Sequence, residues 1–233
     1  MKFGIRPLDF AGFALTAAAA LYQGWSLQEF CWSTWLAGLC YSFACIVTAA
    51  CQILLTASSE KVSYEQRLPV LRQLPSHVYF AGMILAVILV VSVAFRLYTY
   101  LFGFYGLFLS VFAEMEPHSF FGRNGFINSD FFTPAAYLLQ LYWPMVLGTL
   151  AANGRELFGR EPWKRIAFPL QSEIIRIHLL TLTLPFISIL AWFLFRDNYQ
   201  RPALVLLLGI FYLLPRKSTC AETGGKDEAV MEQ

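Results

Sequence analysis

Charge is what this chain has least of. Asp, Glu, Lys and Arg together make up 14% of its 233 residues, against about 25% in a soluble domain. So few charges cannot clothe a large water-facing surface. The net charge of +2 says little about partners, because membrane chains distribute charge by side, and no basic patch of the kind that holds nucleic acid is visible. Histidine is scarce too, at three residues, and no Gly-x-Ser-x-Gly, His-Glu-x-x-His or phosphate-loop pattern occurs. No catalytic residue and no cofactor is therefore assigned. Of the five cysteines, Cys31, Cys40, Cys45 and Cys51 share one apolar block and Cys220 lies in the tail. Their spacing fits no zinc or redox motif and reads as helix packing. No internal repeat is visible.

What the chain has in quantity is apolar side chains, 58% of the total with 17% aromatic, gathered in long blocks. Such blocks predict an all-α, polytopic transmembrane bundle. The spans fall at about residues 8–23, 27–56, 78–112, 134–152, 174–195 and 202–214, and residues 217–233 read as a disordered tail. The first block has the charge pattern of a secretory signal. Asp9 at its start and the apolar block that follows at once favour a retained span. Gly12, Thr16 and Ala20, four apart, give that span a small face for close packing. Trp25, Trp32 and Trp35 cluster where the second span begins, as aromatics do at a membrane interface.

Residues 78–112 decide the topology. Thirty-five residues with the single charge Arg96 make a helix roughly 52 Å long, well past the roughly 30 Å hydrocarbon core. The block is either one long crossing or two short ones turned at Arg96, which would make seven spans. With one crossing, the N-terminus, the connectors before the third and fifth spans and the tail share one side. That side then holds twelve Lys and Arg against three on the other, Arg123, Arg196 and Arg201. With two crossings the division is eight to eight. The positive-inside rule selects one crossing, six spans and cytoplasmic termini. The stretch 92–98 also lacks Gly, Pro, Asn and Asp to build a turn.

Ionisable and polar groups at membrane depth are the candidate functional residues. Arg96 either faces a cavity or snorkels to a headgroup. Glu29 opens the second span, where a carboxylate facing the helix dipole is the plainer account. Gln140 belongs to a small, polar face with Ala136, Pro144, Gly148 and Ala152, expected to point into the bundle, and Pro144 is expected to kink that helix. His178 lies in the first turns of the fifth span. Glu114, Glu116 and His118 have alternating spacing that a metal could use, although Pro117 breaks the run.

Gly24-Trp25-Ser26-x-x-Glu29 followed by Thr34-Trp35-Leu36 resembles the start of a family of uncharacterised bacterial integral membrane proteins. Ile174-Ile175-Arg176-Ile177-His178-Leu179 is similar to the stretch that opens that family's penultimate span, and residues 95–108 to its aromatic helix. The chain departs from the pattern at Ala37, where the family has Glu, and at Leu97-Tyr98 and Tyr105-Gly106, where a His is expected. The resemblance implies a multi-span bacterial inner-membrane protein. Together these readings lead to an expectation of a non-enzymatic membrane component, transporter-like or an accessory subunit. Its partners are the lipid bilayer and other membrane subunits, not nucleic acid. The rival is a membrane-embedded enzyme acting on lipid or an intramembrane peptide.

Overall fold

The computed structural model describes residues 7–57, 59, 75–112, 131–159, 161–169, 186, 189, 190, 192–196 and 199–213. Every regular element among them is a helix. The first, α1, is Pro7–Gln23, and the second, α2, is Leu27–Thr56. The turn between them is built from local chemistry. Gly24 takes φ +68°, and the Trp25 N–H reaches back to the Ala20 carbonyl at 2.9 Å. This is how a helix ending in a left-handed glycine closes its last carbonyls. Ser26 then caps α2. Its hydroxyl accepts the Glu29 N–H at 3.2 Å, and the Glu29 carboxylate accepts the Ser26 N–H at 2.7 Å, a complete capping box.

The third helix, α3, is Ser76–Phe112, thirty-seven residues with no break at Arg96. It runs antiparallel to α2 along nearly its whole length. The Tyr79 hydroxyl donates to the Ala57 carbonyl at 3.3 Å. Phe43 and Phe95 pack at 4.6 Å between ring centroids, and the Trp35 indole N–H donates to the Phe102 carbonyl at 3.0 Å. One face of α3 meets α2. The opposite face carries exposed Leu85, Leu89, Val93, Leu97, Tyr100 and Phe104, a surface suited to hydrocarbon rather than water.

The fourth helix, α4, is Phe132–Ala152 and is bent. Tyr142 leaves helical geometry at φ −115°, ψ 21°, two residues before Pro144. Proline has no N–H for the Gln140 carbonyl and its ring crowds that turn. The second half of α4 runs beside α2, with Tyr142 level with Glu29. A straight helix would carry Phe131 about 16 Å beyond Tyr142, past the start of α2. Instead the Phe131 ring lies 5.8 Å from that of Trp35, two turns inside α2. The bend thus folds the first half back toward the α2–α3 pair.

After α4, a 3-10 turn at Glu156–Phe158 leads to the short helix α5, Pro162–Ala167. The last helix, α6, is Gln200–Leu213. The core centres on α2, which packs against α3, α4 and α5 and touches α6, while α1 lies on α4 and α6. Its largest enclosed side chains are Trp35, Tyr212, Phe30, Phe211 and Leu36. The clustered tryptophans face inward. Trp25, Trp32 and Trp35 are all buried and serve the core, because the bundle satisfies indole N–H groups internally, Trp25 on Gln23 at 2.8 Å and Trp35 on Phe102.

Three described helices are long and apolar enough to cross a membrane: α2, α3 and α4. Helix α1, with 17 residues, and α6, with 14, are shorter apolar helices. The span expected at 174–195 and the tail at 217–233 lie outside the described residues, apart from the few positions named above.

Candidate functional site

Among the described residues, polar side chains meet at three places in this apolar bundle. The first is at the beginning of α2. Besides closing the capping box, Glu29 accepts the Tyr142 hydroxyl at 3.2 Å. Trp25 stands edge-on to the Tyr142 ring at 5.0 Å and 89°. One half-buried carboxylate therefore joins the start of α2 to the bend in α4. Both its oxygens are engaged, which suits a structural acceptor better than a proton-transfer group.

The second is the seam between α1, α4 and α6. Asp9, Gly12, Thr16 and Ala20 form the buried stripe of α1. A Cβ at Gly12 would stand 2.8 Å from the Gly148 carbonyl oxygen, and one at Gly148 would stand 2.6 Å from the Tyr212 hydroxyl. The two backbones touch because neither residue has a side chain. Into that gap α6 inserts Tyr212, fully buried. Its hydroxyl lies 3.0 Å from Thr16 Oγ1 and 3.4 Å from Thr149 Oγ1.

The third lies along the second half of α2, where the 153–169 connector folds back on the bundle. Arg165 donates to the Leu157 carbonyl and to Gln52 Oε1. The Tyr41 hydroxyl donates to Glu156 at 3.5 Å, and the Tyr98 hydroxyl donates to the Ala167 carbonyl at 3.2 Å. Beneath this set sits Cys45, buried in α2. The Arg165 Nε is enclosed without a hydrogen-bond partner, and no carboxylate pairs with the guanidinium among the described residues. Burial pulls the proton affinity of this arginine below its ordinary range.

The residues singled out from sequence do not converge. Glu29 takes part in the first cluster. Arg96 is exposed on the outward face of α3. Gln140 is exposed as well, as is Ala136, whereas Pro144, Gly148 and Ala152 of the same expected face are buried. The helical period explains this correction: the buried face runs through Pro134, Leu138, Tyr142, Met145, Thr149 and Ala152, three or four residues apart, whereas a strict four-residue stripe drifts about 40° per step and leaves that face. His178, Glu114, Glu116 and His118 lie outside the described residues. Among the described residues, no group of three or more His, Cys, Asp or Glu is placed to hold a metal. Sequence reading missed Tyr142, Tyr212 and Arg165. The position of Tyr142 just before Pro144 was a usable signal; Arg165 was one more basic residue in a basic connector.

Comparison with family models, with curated proteins and with solved structures finds no match to this chain. The resemblance seen in residues 24–36 and 174–179 thus rests on short motifs alone.

Proposed function

We propose that the protein is a non-enzymatic component of a bacterial inner membrane, crossing it six times with both termini in the cytoplasm. Its role in this reading is that of an accessory membrane subunit. The observation that carries it is the outward position of Arg96 on a helix whose exposed face is mostly apolar, with Ser92 and the first-turn Ser76 and His77 its other polar members. A charge that looks out of the bundle serves a headgroup or a neighbouring subunit, not a central translocation site. The described interior supports the same reading, being filled by Trp35, Phe30, Ile46, Met145 and Tyr212. Extraction in a mild detergent should co-purify a larger membrane complex. Recovery of a lone monodisperse protein would count against the proposal.

A transporter-like carrier is the second reading, and the bend at Tyr142 favours it. Carriers place broken helices beside polar groups, and here the broken turn meets Glu29 at the opening of α2. In reconstituted vesicles this reading requires Glu29→Gln to alter the flux of some solute that the native protein moves. Unchanged flux in a folded variant would remove it.

A further inference from the structure

Helix α3 is the least enclosed of the three long helices. One face meets α2, and the other presents Leu85, Leu89, Val93, Leu97, Tyr100 and Phe104, three or four residues apart, a continuous stripe on a helix. Arg96 falls within that stripe, three residues after Val93 and four before Tyr100, and is exposed. A single crossing of about 30 Å takes in the most exposed apolar side chains of α3 when it runs from Ile84 to Phe104. Arg96 then stands about 18 Å from one boundary and about 12 Å from the other, farther than one arginine side chain extends toward a headgroup. Hydrocarbon accepts the leucines but leaves a guanidinium without an acceptor. Arg96 pairs with no carboxylate among the described residues, and the described carboxylates of this chain are committed elsewhere. Asp9 is buried in the α1 seam, Glu29 closes the capping box, Glu156 accepts Tyr41 and Glu161 pairs with Lys164.

We propose that this stripe seats one transmembrane helix of a partner subunit, and that the partner helix carries an Asp or Glu at the depth of Arg96. This seat presupposes the accessory-subunit reading and adds to it the chemistry of the partner. Charge complementarity selects the occupant, because a carboxylate supplies the two acceptor oxygens that a guanidinium fork matches. The length of the stripe suits a single span of about twenty residues. A second copy of this chain does not answer the charge. Two copies in one membrane stand the same way up, so a two-fold contact through α3 sets Arg96 against Arg96.

Photocrosslinking of the full chain in intact membranes of the cells that make it tests the seat. Benzoylphenylalanine replaces Val93 or Leu97 in the stripe or, as a control, Leu147, which is exposed on α4. The expected result is a protein adduct from Val93 and Leu97 and little from Leu147. Mass spectrometry should place the cross-linked peptide in an apolar segment of another protein that holds an Asp or Glu. Arg96→Gln should cut the adduct by about tenfold or more, as losing one half of a desolvated charge pair does, and Arg96→Lys should restore much of it. Arg96 is exposed, so the unfolding midpoint of Arg96→Gln in detergent should match that of the native chain. Adducts to lipid alone, to a second copy of this chain or to a segment without an acidic residue would overturn the seat. So would equal yield from Leu147, or an adduct that Arg96→Gln leaves unchanged. A complex that co-purifies in mild detergent while neither stripe position cross-links would overturn the seat and leave the accessory-subunit reading standing. Absence of both complex and adduct would remove the two together.

Discussion

At the scale of single residues, the fold rests on a few positions where size or a hydroxyl is decisive. Gly148 is one, since any Cβ there meets the Tyr212 hydroxyl and Thr16. Gly148→Ala should destabilise the protein by about 1–3 kcal/mol, the usual cost of forcing a methyl into a filled seam. It is read as a lower midpoint of thermal unfolding in detergent. Tyr212→Phe keeps the ring and removes only the hydroxyl, so its expected cost is smaller, about 0.5–1.5 kcal/mol. At Glu29 two substitutions separate shape from charge. Glutamine can still close a capping box, so Glu29→Gln should change the midpoint little. Glu29→Ala loses both the cap and the Tyr142 contact, and should lower it by about 0.5–2 kcal/mol. Equal effects would show that the carboxylate charge, not the cap, holds this corner. Glycines four residues from small neighbours were legible as a packing face in α1. Tyr212 was not, because nothing in a short apolar run marks which tyrosine will be enclosed by two other helices.

At the scale of elements, helix positions were largely legible and helix shapes were not. Apolar block length and turn residues placed α2 at its observed bounds and α1, α3 and α6 within two residues of theirs. Hydropathy names the stretches that cannot face water, which is why it succeeds there. It does not say how far a proline bends its helix. Pro144 was expected to kink α4, and the helix breaks at Tyr142 just before it; toward which neighbours residues 132–141 then fold follows from tertiary contacts that no local pattern encodes. Gln140 lies at the surface for a simpler reason: the buried face runs through Leu138, Tyr142 and Met145, and a strict four-residue stripe drifts off it. Pro144→Ala restores a donor for the Gln140 carbonyl and should straighten α4. A cysteine pair at Gly103 and Phe131, whose side chain lies 3.9 Å from the Cβ position of Gly103, should cross-link readily with a short bis-maleimide when Pro144 is intact. The cross-link should be lost when Pro144→Ala is added. Persistence of the cross-link would show that packing, not the proline, sets the bend. The long third block looked like the organiser of the chain, but α2 holds that place. It contacts helices on several sides, while α3 touches the rest of the bundle mainly along one face.

At the scale of the whole molecule, the described bundle is a long α2–α3 hairpin with shorter helices set against it. The hairpin partner α3, at thirty-seven residues, is about 55 Å long, whereas α1 and α6 reach only about 25 Å and 21 Å. The unbroken backbone through Arg96 removes the hairpin turn that a seven-span arrangement needs there. With α3 as a single crossing, the charge division of twelve to three follows and with it the proposed cytoplasmic termini. Glycosylation-free topology mapping tests this most directly. Single cysteines are introduced at Ser63, in the connector before α3, and at Ser119, in the connector after it, and their reaction with a membrane-impermeant maleimide is compared in intact cells and in opened membranes. The expected result is labelling of the Ser119 position in intact cells and of the Ser63 position only after opening. Labelling of both positions from the same side would contradict the single crossing of α3, and with it the six-span arrangement.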